Sequence, residues 1–209
     1  MNREIIVDET YGPLCRHYVA RIEETLHKAL RAHPRTLALR IDLHIPDRDH
    51  ISGMAIRNNV ISRFMASLAS QLEAQRYRKM QSGIRVHQTD LRYIWCREFD
   101  WFGNKPHYHV VLLLNKDTYQ SPGHYLSDDT NLATMIIAAW NRALGMKVAD
   151  TPLARSLVHF PENPCYWLDV NSEESERTYS SLMFRLRYMA KNATKHHEDH
   201  LRAFGCSQR

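Results

Sequence analysis

Apolar residues recur along this chain with two distinct periods, and the switches between them mark out its elements. Residues 12 to 31 place Leu14, Tyr18, Ile22, Leu26 and Ala29 at helical spacing, and Pro34 ends the run. Leu37 to Ile45 then alternates strictly, with five aliphatic residues on one face, as a half-buried strand requires, and Pro46 closes it. Residues 52 to 80 return to helical spacing through Ile56, Val60, Phe64, Leu68 and Leu72. Residues 91 to 100 and 106 to 115 predict an antiparallel hairpin. Asn131 to Leu144 predicts a helix stopped by Gly145. Leu157 to Phe160 and Cys165 to Val170 predict short strands, and Glu173 to Lys195 a last helix with Ser172 as N-cap. This order predicts an α+β domain: an antiparallel sheet of about five strands with helices packed on one face. The expected divisions are a helical segment over 1–34, the main domain over 35–195, and a basic, histidine-containing tail over 196–209.

Composition narrows the class. With 209 residues, 44% hydrophobic and 24% charged, the chain is long enough to build a core without metal or disulfide support. Cys15, Cys96, Cys165 and Cys206 are scattered without a Cys-x-x-Cys pair, which argues against a zinc ribbon or a disulfide scaffold and for a reducing compartment. The first eight residues lack the apolar core of a signal peptide, and no apolar run approaches a membrane span, so a cytoplasmic location is expected. The net charge of +5 is unevenly placed. Residues 177 to 209 hold seven basic residues against two acidic, while the remainder balances at 21 of each sign. A polyphosphate partner would therefore be held by the C-terminal segment.

Two histidines, His107 and His109, share one face of the second hairpin strand because side chains alternate with period two. Glu98 precedes them across the turn, with Asp100 as a rival two residues on. Two imidazoles and a carboxylate on one sheet face make a divalent-metal site with positions open for substrate. His44, on the polar face of the first strand, is placed at the border of this site; its neighbour Asp42 reads equally as a surface residue. In the last helix Tyr188 and Lys191 lie at i, i+3, off the apolar stripe of Leu182, Leu186, Met189 and Ala193. A phenol, an ammonium and a metal site together suggest covalent phosphoryl transfer, in which the phenol attacks a phosphodiester. Its ordinary pKa of about 10 makes deprotonation at neutral pH cost roughly 4 kcal/mol, which a nearby cation would reduce.

The motifs Pro106-His107-Tyr108-His109-Val110-Val111-Leu112 and Tyr188-Met189-Ala190-Lys191, in that order after the strand Leu37 to Ile45, give a family resemblance. The chain resembles the HUH-type endonucleases that initiate rolling-circle replication, most closely the inovirus-type replication proteins of prophages and satellites. The resemblance implies that His107, His109 and Glu98 hold Mg²⁺ or Mn²⁺. It implies that Tyr188 is the nucleophile, linked to a 5′ phosphate, with Lys191 stabilising charge. Arg185, Arg187 and Lys195 would hold the DNA backbone, and Tyr108, with Trp101 and Phe102, would stack on unpaired bases. The implied partners are single-stranded or hairpin origin DNA and the host's helicase and polymerase, since no phosphate-cradling Gly-x-x-x-x-Gly-Lys loop exists here. Binding would weaken steeply with salt. Two other readings use the same residues: a non-catalytic nucleic-acid-binding module, and a two-histidine, one-glutamate hydrolase that activates water.

Overall fold

The computed structural model describes residues 5–46, 59–99, 105–125, 129–146, 152–191 and 201–208. The strict alternation of Leu37 to Ile45 becomes β3 (Arg35–His44), the spine of a six-stranded antiparallel sheet. On one side β3 pairs with β5 (Pro106–Asn115), which pairs with β4 (Arg92–Phe99). On its other side lie two short strands in succession, β6 (Val158–His159) and β7 (Cys165–Asp169). The α+β class and antiparallel sheet match the expectation.

The helices, however, cover both faces of the sheet rather than one. Leu37, Leu39, Ile41 and Leu43 pack with Val110, Leu112 and Leu114 against α2 (Val60–Gln81) and α3 (Leu132–Leu144). The opposite face carries Ala38, Ile94, Cys96, Val111 and Leu113, packed against α1 (Arg16–Ala32) and α5 (Ser175–Tyr188). The reason is visible in β5: Val110 to Leu114 is apolar at every position, so both of its faces need cover. The α3 termini follow sequence rules. Asn131 forms a reciprocal capping box with Thr134, and Gly145 takes the left-handed conformation (φ 74°) at the C-cap. A short α4 (Pro152–Ser156) precedes β6.

Both ends of the chain depart from expectation. The segment 12–15 is not helical: β1 (Ile5–Asp8) and β2 (Gly12–Cys15) form a separate hairpin, and α1 starts at Arg16. The first residues of the expected 52–80 helix, with Ile56, lie outside the described residues, as do Asp100, Trp101 and Phe102. The tail is not merely an appendage, since β8 (Phe204–Cys206) extends the sheet by pairing with β4. Phe204 stacks on Tyr18 of α1 at 4.4 Å.

Gly205 crosses directly over Trp95, so a Cβ there would lie 2.7 Å from the indole ring. That indole is itself packed against Tyr108 at 5.9 Å and has little room to yield. Gly205→Ala is therefore expected to destabilise the fold by about 1–3 kcal/mol, the usual cost of overpacking. Urea unfolding that left the midpoint unchanged would show that the β8 docking is not as close as described.

Candidate metal and tyrosine site

The sheet face covered by α1 and α5 is apolar at one end and polar at the other. Beyond Ala38 on β3 the inward positions become Arg40, Asp42 and His44; beyond Val111 on β5 they become His109 and His107; beyond Cys96 on β4 comes Glu98. Strand register brings these polar ends together, since Asp42 faces His109, His44 faces His107, and Glu98 faces His107. One ligand atom each from Glu98, His107 and His109 lies within 4.8 Å of the others, a separation that one ion can span. Glu98, only 2% exposed, would be a costly buried carboxylate without a cationic partner. Two nitrogens and one carboxylate oxygen suit a divalent cation while leaving coordination positions open.

Asp42 is not a surface residue. Its Oδ1 accepts from His109 Nδ1 at 2.6 Å and from Arg40 Nε at 3.0 Å and Nη2 at 2.8 Å. Arg40 Nη2 also lies 2.6 Å from His109 Nδ1, but a guanidinium can only donate, so Asp42 is the acceptor both cations share. With Nδ1–H held by Asp42, the other ring nitrogen, Nε2, points to Glu98 at 3.3 Å, the orientation a ligand needs. Sequence reasoning passed over Arg40 and left Asp42 open. The available signal was that three successive inward positions of an aliphatic strand are Arg, Asp and His.

These contacts set opposite protonation tendencies in neighbouring rings. Burial disfavours a charged His109, but its bonds to Asp42 and Glu98 outweigh this and raise its pKa above the ordinary 6.5. Burial and the adjacent His109 hold His107 below that value, and burial does the same to His44, which stacks on His107 at 6.0 Å. Burial would raise the Asp42 carboxyl, yet His109 and Arg40 pull it well below the carboxylate range. In the metal-free protein, histidine-selective NMR is expected to show His109 keeping its second proton to higher pH than His107 and His44. Because a cation must displace that proton, metal affinity should rise with pH through neutrality. His109 titrating below the other two would overturn this account of the network.

Tyr188 reaches the cluster from above. Its hydroxyl donates to Glu98 Oε2 at 3.1 Å, and its ring meets His109 edge-on at 5.6 Å. Burial, with the charge of Glu98, pushes its phenol up to about 12. The helix expected to run to Lys195 ends at Tyr188, because the chain beyond it is drawn into bonding with β2. Cys15 N–H donates to the Ala190 carbonyl at 2.9 Å, and Leu14 bridges to Lys191. Lys191 therefore leaves the helix, yet its Nζ stays 5.4 Å from the Tyr188 ring centroid. Lys195 lies outside the described residues.

The other expected DNA contacts fare differently. Tyr108 is buried on the far side of the sheet between Trp95 and Trp140, both at 5.9 Å, and is a core residue. The alternation that aligns His107 with His109 requires this. Arg185 donates to the carbonyls of Asn163 and Glu162 at 2.8 and 3.2 Å, bracing the β6–β7 loop. Arg187 is half-exposed and lies 3.7 Å from Asp8 of β1. Among the described residues no helix is long and apolar enough to cross a membrane, and none of the four cysteines forms a disulfide.

An antiparallel α+β sheet that presents a carboxylate–bis-histidine cluster beneath a tyrosine defines the class of this protein. The chain belongs to the family described as the YagK/YfjJ C-terminal domain, which matches residues 1–207. It is 40% identical over 204 residues to the uncharacterized protein YagK of Escherichia coli (strain K12), covering 95% of this chain and 96% of the relative. It is 35% identical over 208 residues to the uncharacterized protein YfjJ of the same strain, covering 96% and 98%. No solved structure matches.

Proposed function

We propose that this protein is a metal-dependent, HUH-type enzyme that nicks and rejoins single-stranded DNA through a covalent 5′-phosphotyrosine, as replication initiators of phage-like elements do. The observation that carries the reading is the 3.1 Å hydrogen bond from the Tyr188 hydroxyl to Glu98, which stands in the Glu98–His107–His109 cluster. A nucleophile and a metal-ligand set from sequence-distant segments meet at one point.

The chemistry asks little of the protein beyond placement and charge. The Tyr188 oxygen attacks the scissile phosphorus, a Tyr–O–P bond forms, and the P–O3′ bond breaks. The phenolic proton passes to solvent along the Glu98 hydrogen bond, and the departing 3′ oxygen takes one up. One phosphodiester replaces another, so the strand can be rejoined by the reverse step. Mg²⁺ or Mn²⁺ held by Glu98, His107 and His109 would supply charge neutralisation at the phosphate. With its phenol near 12, the resting Tyr188 is a neutral donor; Lys191, whose Nζ lies 5.4 Å from the ring centroid, would help stabilise charge developing on the phenolic oxygen. DNA at an origin is the proposed substrate, with helicase and polymerase supplied by the host.

The test is incubation of the protein with a single-stranded oligonucleotide library and Mn²⁺, followed by mass analysis. A DNA adduct on Tyr188 supports the reading. The neutral, hydrogen-bonded resting phenol favours one alternative, a hydrolase in which Tyr188 only orients water. Cleavage without any adduct would select it. No cleavage with any divalent cation would leave a nucleic-acid-binding module.

A further inference from the structure

Tyr188 does not meet the cluster as an isolated ring. Six aromatic rings run in file from the protein surface to the far edge of the candidate metal site. Phe184 lies 5.1 Å from Tyr11, Tyr11 lies 5.7 Å from Tyr188, and Tyr188 lies 5.6 Å from His109. His109 is then 4.8 Å from His107, which is 6.0 Å from His44. The inner rings have duties in the site. The outer two, Tyr11 and Phe184, have none in the chemistry described above.

Phe184 is the anomaly. It sits one helical turn before Tyr188 on the same side of α5, yet it is 51% exposed. The apolar stripe of α5 that covers the sheet is formed instead by Leu182, Met183 and Leu186. Tyr11 is delivered to Phe184 by the turn of the β1–β2 hairpin, whose shape is fixed locally. Asp8 Oδ1 accepts from the backbone N–H groups of Thr10 and Tyr11, both at 2.9 Å. The half-exposed Arg187, three residues from Phe184, borders the same surface and reaches Asp8 at 3.7 Å. An exposed phenylalanine backed by a partly buried tyrosine, with a guanidinium at the rim and adjoining a residue poised over a phosphate-binding centre, matches what an unpaired nucleotide requires. The π-face takes the base and the cation takes the backbone.

We infer that Tyr11 and Phe184 form a stacking ledge for an unpaired nucleobase next to the phosphate addressed by Tyr188, with Arg187 on the adjoining backbone phosphate. This rests on the proposed nicking reading for its substrate class, but it makes a separate claim about where the strand lies. It assigns recognition to the N-terminal hairpin, a segment outside the motifs that suggested the chemistry. It also gives that hairpin a use beyond closing the sheet face. The file of rings sets the path: the strand enters over Phe184 and passes Tyr11 before its phosphate reaches Tyr188.

The experiment uses the full-length protein with Tyr188→Phe and without divalent cation, so that binding is read apart from cleavage. The probe is a short oligothymidine carrying one 5-iododeoxyuridine, which on irradiation cross-links to a ring stacked upon it. Cross-linked peptides containing Tyr11 or Phe184 are expected. Phe184→Ala, at a half-exposed position outside the apolar stripe of α5, should weaken binding of the probe about tenfold, within the range for one stacked base. Phe184→Trp should retain the affinity. Cross-links confined to other segments, or equal affinity for the Ala and Trp variants, would overturn the ledge even if an adduct on Tyr188 is found. A ledge that cross-links while wild-type protein never forms the adduct would sustain this inference and remove the nicking reading.

Discussion

Replacing Tyr188 with Phe is expected to abolish strand transfer, lowering it by at least about a thousandfold, while divalent-cation affinity changes by no more than about threefold. The first figure corresponds to roughly 4 kcal/mol of lost transition-state stabilisation, at 1.36 kcal/mol per tenfold, because phenylalanine has no oxygen with which to attack the phosphorus. The second follows from geometry. Phenylalanine keeps the ring contacts with Tyr11 and His109 and loses only the hydroxyl that donates to Glu98. Glu98 retains His109 Nε2 at 3.3 Å and its place in the ligand set. Cleavage assays and metal titration on the same preparation separate the two effects. Cleavage that persists in the variant would move the chemistry to activated water. Metal binding that collapses with it would make Tyr188 a structural member of the cluster.

Asp42→Asn is expected to have the next largest effect, weakening divalent-cation binding about ten- to a hundredfold, the usual consequence of losing a histidine's outer-shell carboxylate. Asp42 touches no candidate ligand atom facing the site. It acts by holding His109 Nδ1–H at 2.6 Å, which keeps Nε2 turned to Glu98, and by neutralising Arg40. Asparagine has nearly the same shape, so the change removes charge more than volume. The buried Arg40 then loses its ion-pair partner, and some loss of stability should accompany the loss of affinity. One readout distinguishes positioning from general damage. In the Asn variant, the titration of His109 should fall toward that of His107 and His44, because the strongest bond holding its proton is gone. A variant that binds metal normally, with His109 unchanged, would show that Asp42 merely balances Arg40.

How much of this was legible beforehand depends on which physical signal each element carries. Where a side-chain period is imposed by burial on one face, the reading holds. Leu37 to Ile45 is a strand, 131–144 is a helix with its cap and stop, and Glu98 meets His107 across a hairpin. The β1, β2 and β8 strands are three or four residues long, too short to show a period. They exist through main-chain bonding to neighbours brought near by the rest of the chain. The end of α5 belongs to the same class: residues 189–191 are compatible with helix, and only the competing bond from Cys15 to Ala190 ends it.

The sequence by itself determined the chemistry at hand and its faces, because alternation fixes which side chains lie together whatever surrounds them. It placed His107 and His109 side by side, and by the same rule committed Tyr108 to the other side. What only the tertiary structure decided is which polar faces would be enclosed. Asp42 reads equally as a surface residue in its own strand, and becomes the anchor of His109 only because β5 lies beside β3 in that register. Tyr188 likewise gains its partner from a strand ninety residues away in sequence. Local patterns encode direction and spacing. Proximity between distant segments is set by sheet register and by the burial of two apolar faces at once, quantities that no single stretch contains.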